Sequence, residues 1–136
     1  MAIRGNTQSF TPQREQILEA LKRCHITFYL TGSRHFGYHD EKSDIDFFVK
    51  DNKDVRDFLE GLGFQYLPES SYTDQLSNRV YRHQCGVDVQ LVTSTSIKAA
   101  AQTIIGHMYG KVRPPKGDQR RLWNSAIAAA KECSRC

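Results

Sequence analysis

Asp44 and Asp46 stand two residues apart in SDIDFFVK, where Ile45, Phe47 and Val49 fill the alternate positions. In a strand this spacing puts both carboxylates on one face and the three apolar side chains on the other. Two carboxylates about 6 to 7 Å apart repel each other unless something positive sits between them, and a hard divalent cation is the usual remedy. A bare Asp-x-Asp also occurs on ordinary solvent-facing strands, so the pair gains meaning from its company. Asp88 supplies some: in VDVQLV the apolar Val87, Val89 and Leu91 leave Asp88 and Gln90 on the opposite face. With the two strands side by side, three carboxylates can hold two Mg²⁺ ions, which activate an attacking hydroxyl and offset charge on the phosphorus under attack. Upstream, Gly32-Ser33 ends a β-rich run and opens a loop. Glycine there lets the backbone approach a phosphate, whose oxygens the Ser33 hydroxyl and backbone N–H groups can receive. Each motif is weak alone, but phosphate loop, paired carboxylates and third carboxylate in that order make a complete nucleotide-plus-metal site.

A sheet must position these residues. Thr11-Pro12 reads as a helix start, and Ile17, Leu18 and Leu21 make an apolar stripe that ends near Cys24. A strand follows over 26–31, then the loop GSRHFGYHDEK, then a second strand over 44–50. Val55, Phe58, Leu59 and Leu62 have helical spacing over 53–62, and residues 64–78 read as a strand stub and a loop. Residues 79–84 and 87–92 look like a hairpin with a two-residue turn at Cys85-Gly86. Caps in Thr93–Ser96 precede a helix over about 97–108, YGKVRPPKG breaks it, and an alanine-rich helix runs from 118 to about 132. The fold class is α/β in the broad sense (α+β), a small mixed β-sheet backed by helices with a C-terminal helix.

The 136 residues suit one domain over 1–136, with a core at about 11–110 and a basic loop and helix at 111–136. At this length a catalytic domain joined to a separate substrate domain of ordinary size is not expected. No run is apolar enough to span a membrane, and MAIRGNTQSF lacks a signal peptide's apolar stretch, so a cytoplasmic location is expected. Cys133 and Cys136 have metal-ligand spacing, but Cys24, Cys85 and His83, the obvious candidates for a second pair, are in no paired motif, so a frayed terminal thiol pair is the plainer reading. Charge is uneven: residues 107–136 carry seven basic and two acidic residues, whereas 1–106 carry 12 basic and 13 acidic. Lys111, Arg113, Lys116, Arg120 and Arg121 are therefore candidate contacts to an acceptor or to RNA, with a solvated helix face as the commoner cause of such charge. Phe36, Tyr38 and Tyr109 are candidate base-stacking residues, or simply packing.

The string GSRHFGYHDEKSDIDFFV, from Gly32 to Val49, with VDVQLV downstream, resembles the DNA polymerase β-type nucleotidyltransferase superfamily, and most closely its minimal nucleotidyltransferase group. The likeness lies in Gly-Ser, ten intervening residues and Asp-Ile-Asp, and in GSR-x-x-G followed by SDID. The resemblance implies an enzyme that transfers a nucleoside monophosphate from an NTP, with ATP as the donor, and releases pyrophosphate. It implies that Asp44 and Asp46 bind both Mg²⁺ ions with the triphosphate, and that Asp88 binds the ion beside the attacking hydroxyl. Gly32 and Ser33 would hold the β and γ phosphates, with Arg34 assisting. A further acceptor-holding domain, usual in relatives that modify antibiotics or polymerise nucleotides, is not seen here.

Three functions compete. The resemblance favours AMP transfer to a tyrosine of a partner toxin of the HEPN ribonuclease class. The basic C-terminal segment favours nucleotide addition to an RNA or tRNA 3′ end. A catalytically silent module that neutralises a partner by contact is the third, but it would have no physical reason to keep an uncompensated acidic triad.

Overall fold

The computed structural model describes residues 6–68, 74–110 and 112–134. Helix α1 (Asn6–Arg23) leads into a short strand β1 (Tyr29–Thr31), a single helical turn α2 (Gly32–Phe36), strand β2 (Ile45–Lys50) and helix α3 (Lys53–Gly61). Strands β3 (Gln65–Tyr66), β4 (Ser77–His83) and β5 (Val87–Val92) follow, then helix α4 (Thr95–Tyr109), a 3₁₀ turn (Lys116–Asp118) and helix α5 (Gln119–Ser134). The strands form one mixed sheet in the order β1-β2-β5-β4-β3, in which only the central pair β2 and β5 is parallel. This is the mixed α/β class that the sequence implies.

The two-residue periodicity of β2 and β5 sorts their side chains between two helical layers. Val49, Val87, Val89 and Leu91 pack against Ile17 and Leu21 of α1 and Val55 and Leu59 of α3. The opposite face buries Phe48 and Val92 against Ala101 and Ile105 of α4 and Ala126, Ile127 and Ala130 of α5. The face that carries Asp46 and Asp88 is therefore roofed by α4 and α5 rather than open to solvent. Asn52 and Ser94 cap α3 and α4, each accepting a backbone N–H three residues on. Among the described residues no helix is long and apolar enough to cross a membrane.

Several boundaries differ from the sequence reading: the strand expected over 26–31 is formed only by Tyr29–Thr31, and β4 starts at Ser77, within the segment read as a stub and loop. Helix α1 begins at Asn6, so Thr11 and Pro12 lie inside it. The loop after β1 contains α2, a turn bracketed by Gly32 at φ 70° and Gly37 at φ 91°, which are glycines a sequence reads as loop. The β4–β5 connection has three residues, not two: His83 pairs with Val87 and Arg82 with Asp88, while Gly86, at φ 93°, donates its N–H to the His83 carbonyl. A three-residue loop with glycine in the left-handed position is a standard hairpin closure, and it shifts the partner of Asp88 from His83 to Arg82.

Candidate active site

Strand register brings the carboxylates together. Thr31 pairs with Asp46 and Asp46 with Asp88, so the end of β1 and the two aspartates stand in one row across three neighbouring strands. Asp44 lies one residue before β2, where the Ile45 N–H to Gly86 carbonyl bond (2.9 Å) pins the strand start beside the hairpin loop. A Cβ at Gly86 would stand 3.4 Å from the Asp44 carboxylate. Gly32 fits the site more tightly still: a Cβ there would lie 2.3 Å from Asp46 Oδ2, so the absence of a side chain lets Asp46 rest against the backbone of α2. Thr31 is fixed from above, its hydroxyl donating to Gln102 Oε1 (2.5 Å) while Gln102 Nε2 donates to the Leu30 carbonyl (3.1 Å).

The three carboxylates open onto a cavity of about 330 Å³ between the sheet and the α4–α5 pair, and Gly32 and Ser33 line it with them. Burial, then the charges of Asp88 and Asp44, push Asp46 from the ordinary 3.8 up to about 7. Asp88 is also raised, by burial first, against the opposing pull of Arg82. That arginine grips Asp88 with a fork, Nε to Oδ1 at 2.9 Å and Nη2 to Oδ2 at 3.0 Å.

The C-terminal segment supplies the facing wall, where Arg113, Arg120 and Trp123 line the same cavity. The Arg113 guanidinium lies 5.6 Å from the centre of the Tyr38 ring, and Tyr38 stacks on Phe36. Burial raises the Tyr38 hydroxyl pKa, with Arg113 opposing. Deeper in, Lys98 of α4 is only 1% exposed; it is paired with Asp74, donates to Gln90 Oε1 (3.2 Å) and sits 4.1 Å from the centre of the Trp123 ring.

Several expected residues fall elsewhere. Arg34 does not line the cavity; its Nη2 donates to the carbonyls of Asp40 (3.3 Å) and Ser43 (3.1 Å), bracing the loop that delivers Asp44. Arg121 pairs with Asp118 on the exposed side of α5, away from that cavity. Lys116 lies in the 3₁₀ turn, and Lys111 is outside the described residues. Tyr109 packs with the α4–α5 core, whereas Phe36 and Tyr38 line the cavity. Cys85 is fully buried and Cys133 exposed, and Cys136 is outside the described residues. Arg82, Lys98, Asp74 and Gln102 are the site residues that sequence reasoning missed. None of them had a local signal, since each depends on strand register or on contacts between distant elements.

The donor set suits Mg²⁺ in kind, being carboxylate oxygens, with Asp46 and Asp88 paired across neighbouring strands and Asp46 resting where a Cβ on Gly32 would stand. As the side chains stand, among the described residues no three His, Cys, Asp or Glu groups converge closely enough to cage an ion. No protein-family model, curated protein or solved structure matches the chain. The site's own geometry therefore carries the functional reading.

Proposed function

We propose that the chain is a Mg²⁺-dependent nucleotidyltransferase that moves AMP from ATP onto a hydroxyl of a macromolecular acceptor, a partner protein of the toxin class being the acceptor its family resemblance implies. The observation that carries this reading is one cavity walled by Asp44, Asp46 and Asp88 on one side and by Arg113 and Arg120 on the other, with Gly32 and Ser33 at its edge. Carboxylates alone would repel a triphosphate, and arginines alone would repel a metal ion. A nucleoside triphosphate carrying divalent cations satisfies both walls.

When bound, Mg²⁺ would neutralise phosphate charge and lower the pKa of the attacking hydroxyl. Asp44 and Asp46 would hold the ions with the triphosphate. Asp88 would hold the ion beside the acceptor and favour loss of its proton, and Gly32 and Ser33 would receive the β and γ phosphates. Arg113 and Arg120 would offset the remaining phosphate charge. The acceptor oxygen bonds to the α-phosphorus as the bond from that phosphorus to the β-bridging oxygen breaks, and pyrophosphate leaves.

A second reading, addition of a nucleotide to an RNA 3′ end, is favoured by the position of Arg113 and Arg120 beside the carboxylates, where an incoming backbone phosphate could also be met. Incubation with each labelled NTP, Mg²⁺ and cell lysate, followed by separation of RNA from protein, tests both. Label in protein supports the first reading, label in RNA the second, and label in neither contradicts the proposed activity.

A further inference from the structure

We propose that Arg82 is a resident counter-ion of Asp88 which a divalent ion must displace, so that loading the metal position beside the acceptor is an exchange of one cation for another. The inference rests on the reading of the three aspartates as metal ligands. Its first support is geometric: Arg82 and Asp88 are register partners across β4 and β5, and the fork occupies both carboxylate oxygens, at 2.9 and 3.0 Å. The second is the asymmetry of the pair. The Arg82 side chain is 42% exposed and that of Asp88 9%, so the guanidinium can swing into water while the carboxylate stays in the site. The third is the arrangement around it. Asp44, Asp46 and Asp88 share the cavity without converging on a common point, and the Asp88 carboxylate is held on the arginine. Lys98, the buried cation of the same cavity, is already paired with Asp74 and bonded to Gln90.

The hairpin builds this arrangement in. Its three-residue closure places Arg82, not His83, opposite Asp88, and the Ile45 to Gly86 bond ties that closure to the strand that carries Asp46. An arginine fork is a strong, directional partner for a carboxylate, yet a half-exposed one is held far less firmly than a buried ion pair. Such a contact stabilises the metal-free acidic cluster without closing it permanently to a divalent ion.

Titration of the full chain with Mn²⁺, followed by the resonance signal of the free ion, tests the exchange in the wild type, R82A and R82K. Removing a charge-assisted competitor predicts that R82A binds Mn²⁺ about tenfold more tightly than the wild type. R82K, which keeps the charge but loses the fork, should fall between them. In thermal unfolding, metal-free R82A should melt lower than the wild type and gain more from Mn²⁺. Equal or weaker Mn²⁺ binding by R82A would overturn the exchange, as would an R82K affinity equal to wild type, which would make Arg82 only a nearby charge. If R82A does not fold, the R82K comparison decides alone. Absence of Mn²⁺ binding in all three proteins would instead overturn the metal reading of the site, and the exchange with it.

Discussion

At Asp46, burial and like charge act in the same direction. Its carboxyl is raised from 3.8 to about 7, so the folded chain binds a proton more tightly there than the unfolded chain does. The stability this group contributes is full below about pH 4 and is lost as pH rises through 7. D46N should therefore abolish transfer yet stabilise the metal-free protein at pH 8, by on the order of 2 kcal/mol, with the gain shrinking toward pH 4. Urea unfolding at the two pH values checks it, and a D46N protein less stable than wild type at pH 8 would make Asp46 a structural partner. Gly32 is the other residue the site cannot change cheaply. G32A forces a Cβ into the Asp46 carboxylate and puts alanine at φ 70°, so it should cost about 1 to 2 kcal/mol in urea unfolding and lose transfer as well. The aspartates and this glycine were legible because residue type and spacing define them. The placement of Arg34 was not legible: its charge suits a phosphate, and only the fold shows its guanidinium on the Asp40 and Ser43 carbonyls, from where its charge also acts on Asp46.

Among the elements, β2, β5, α3 and α5 were legible from periodicity and caps, whereas the register between strands was not. A two-residue turn would have set His83 against Asp88; one more loop residue sets Arg82 there, and no alternation pattern distinguishes the two. The roof over the site depends on contacts of the same long-range kind. Lys98 of α4 is buried against Asp74, whose other oxygen accepts from the Leu76 N–H (2.9 Å), the Ser77 N–H (3.0 Å) and the Ser77 hydroxyl (3.1 Å). Burial lowers the Lys98 pKa, and Asp74 opposes that shift. D74A would leave the ammonium without its anion and several donors without an acceptor, a loss of about 3 to 5 kcal/mol. K98M should cost distinctly less, because Asp74 keeps its backbone donors and the methionine chain still packs on Trp123. Denaturant midpoints of the two variants give the order, and equal losses would mean that the Leu76 and Ser77 donors add nothing beyond the Lys98 pair.

On the scale of the whole molecule, the C-terminal segment brings two of its basic residues, Arg113 and Arg120, to the cavity that the carboxylates line. The sequence shows its charge excess but not where it goes. Ala126, Ile127 and Ala130 form a stripe that packs α5 on α4 and the sheet, which brings Arg113, Arg120 and Trp123 to the wall facing the three carboxylates. An acidic wall carried by β2, β5 and the residue before β2 thus faces a basic wall from the C-terminal loop and α5 across one cavity. The identity of the group transferred is the most direct test of that account. ATP labelled at the α-phosphate, and separately at the γ-phosphate, is incubated with Mg²⁺, lysate and either the wild type or D46N. The account predicts α-label in a macromolecule and γ-label in pyrophosphate with the wild type, and neither with D46N. Transfer of the γ-label to the macromolecule, or α-label transfer that survives in D46N, would contradict it.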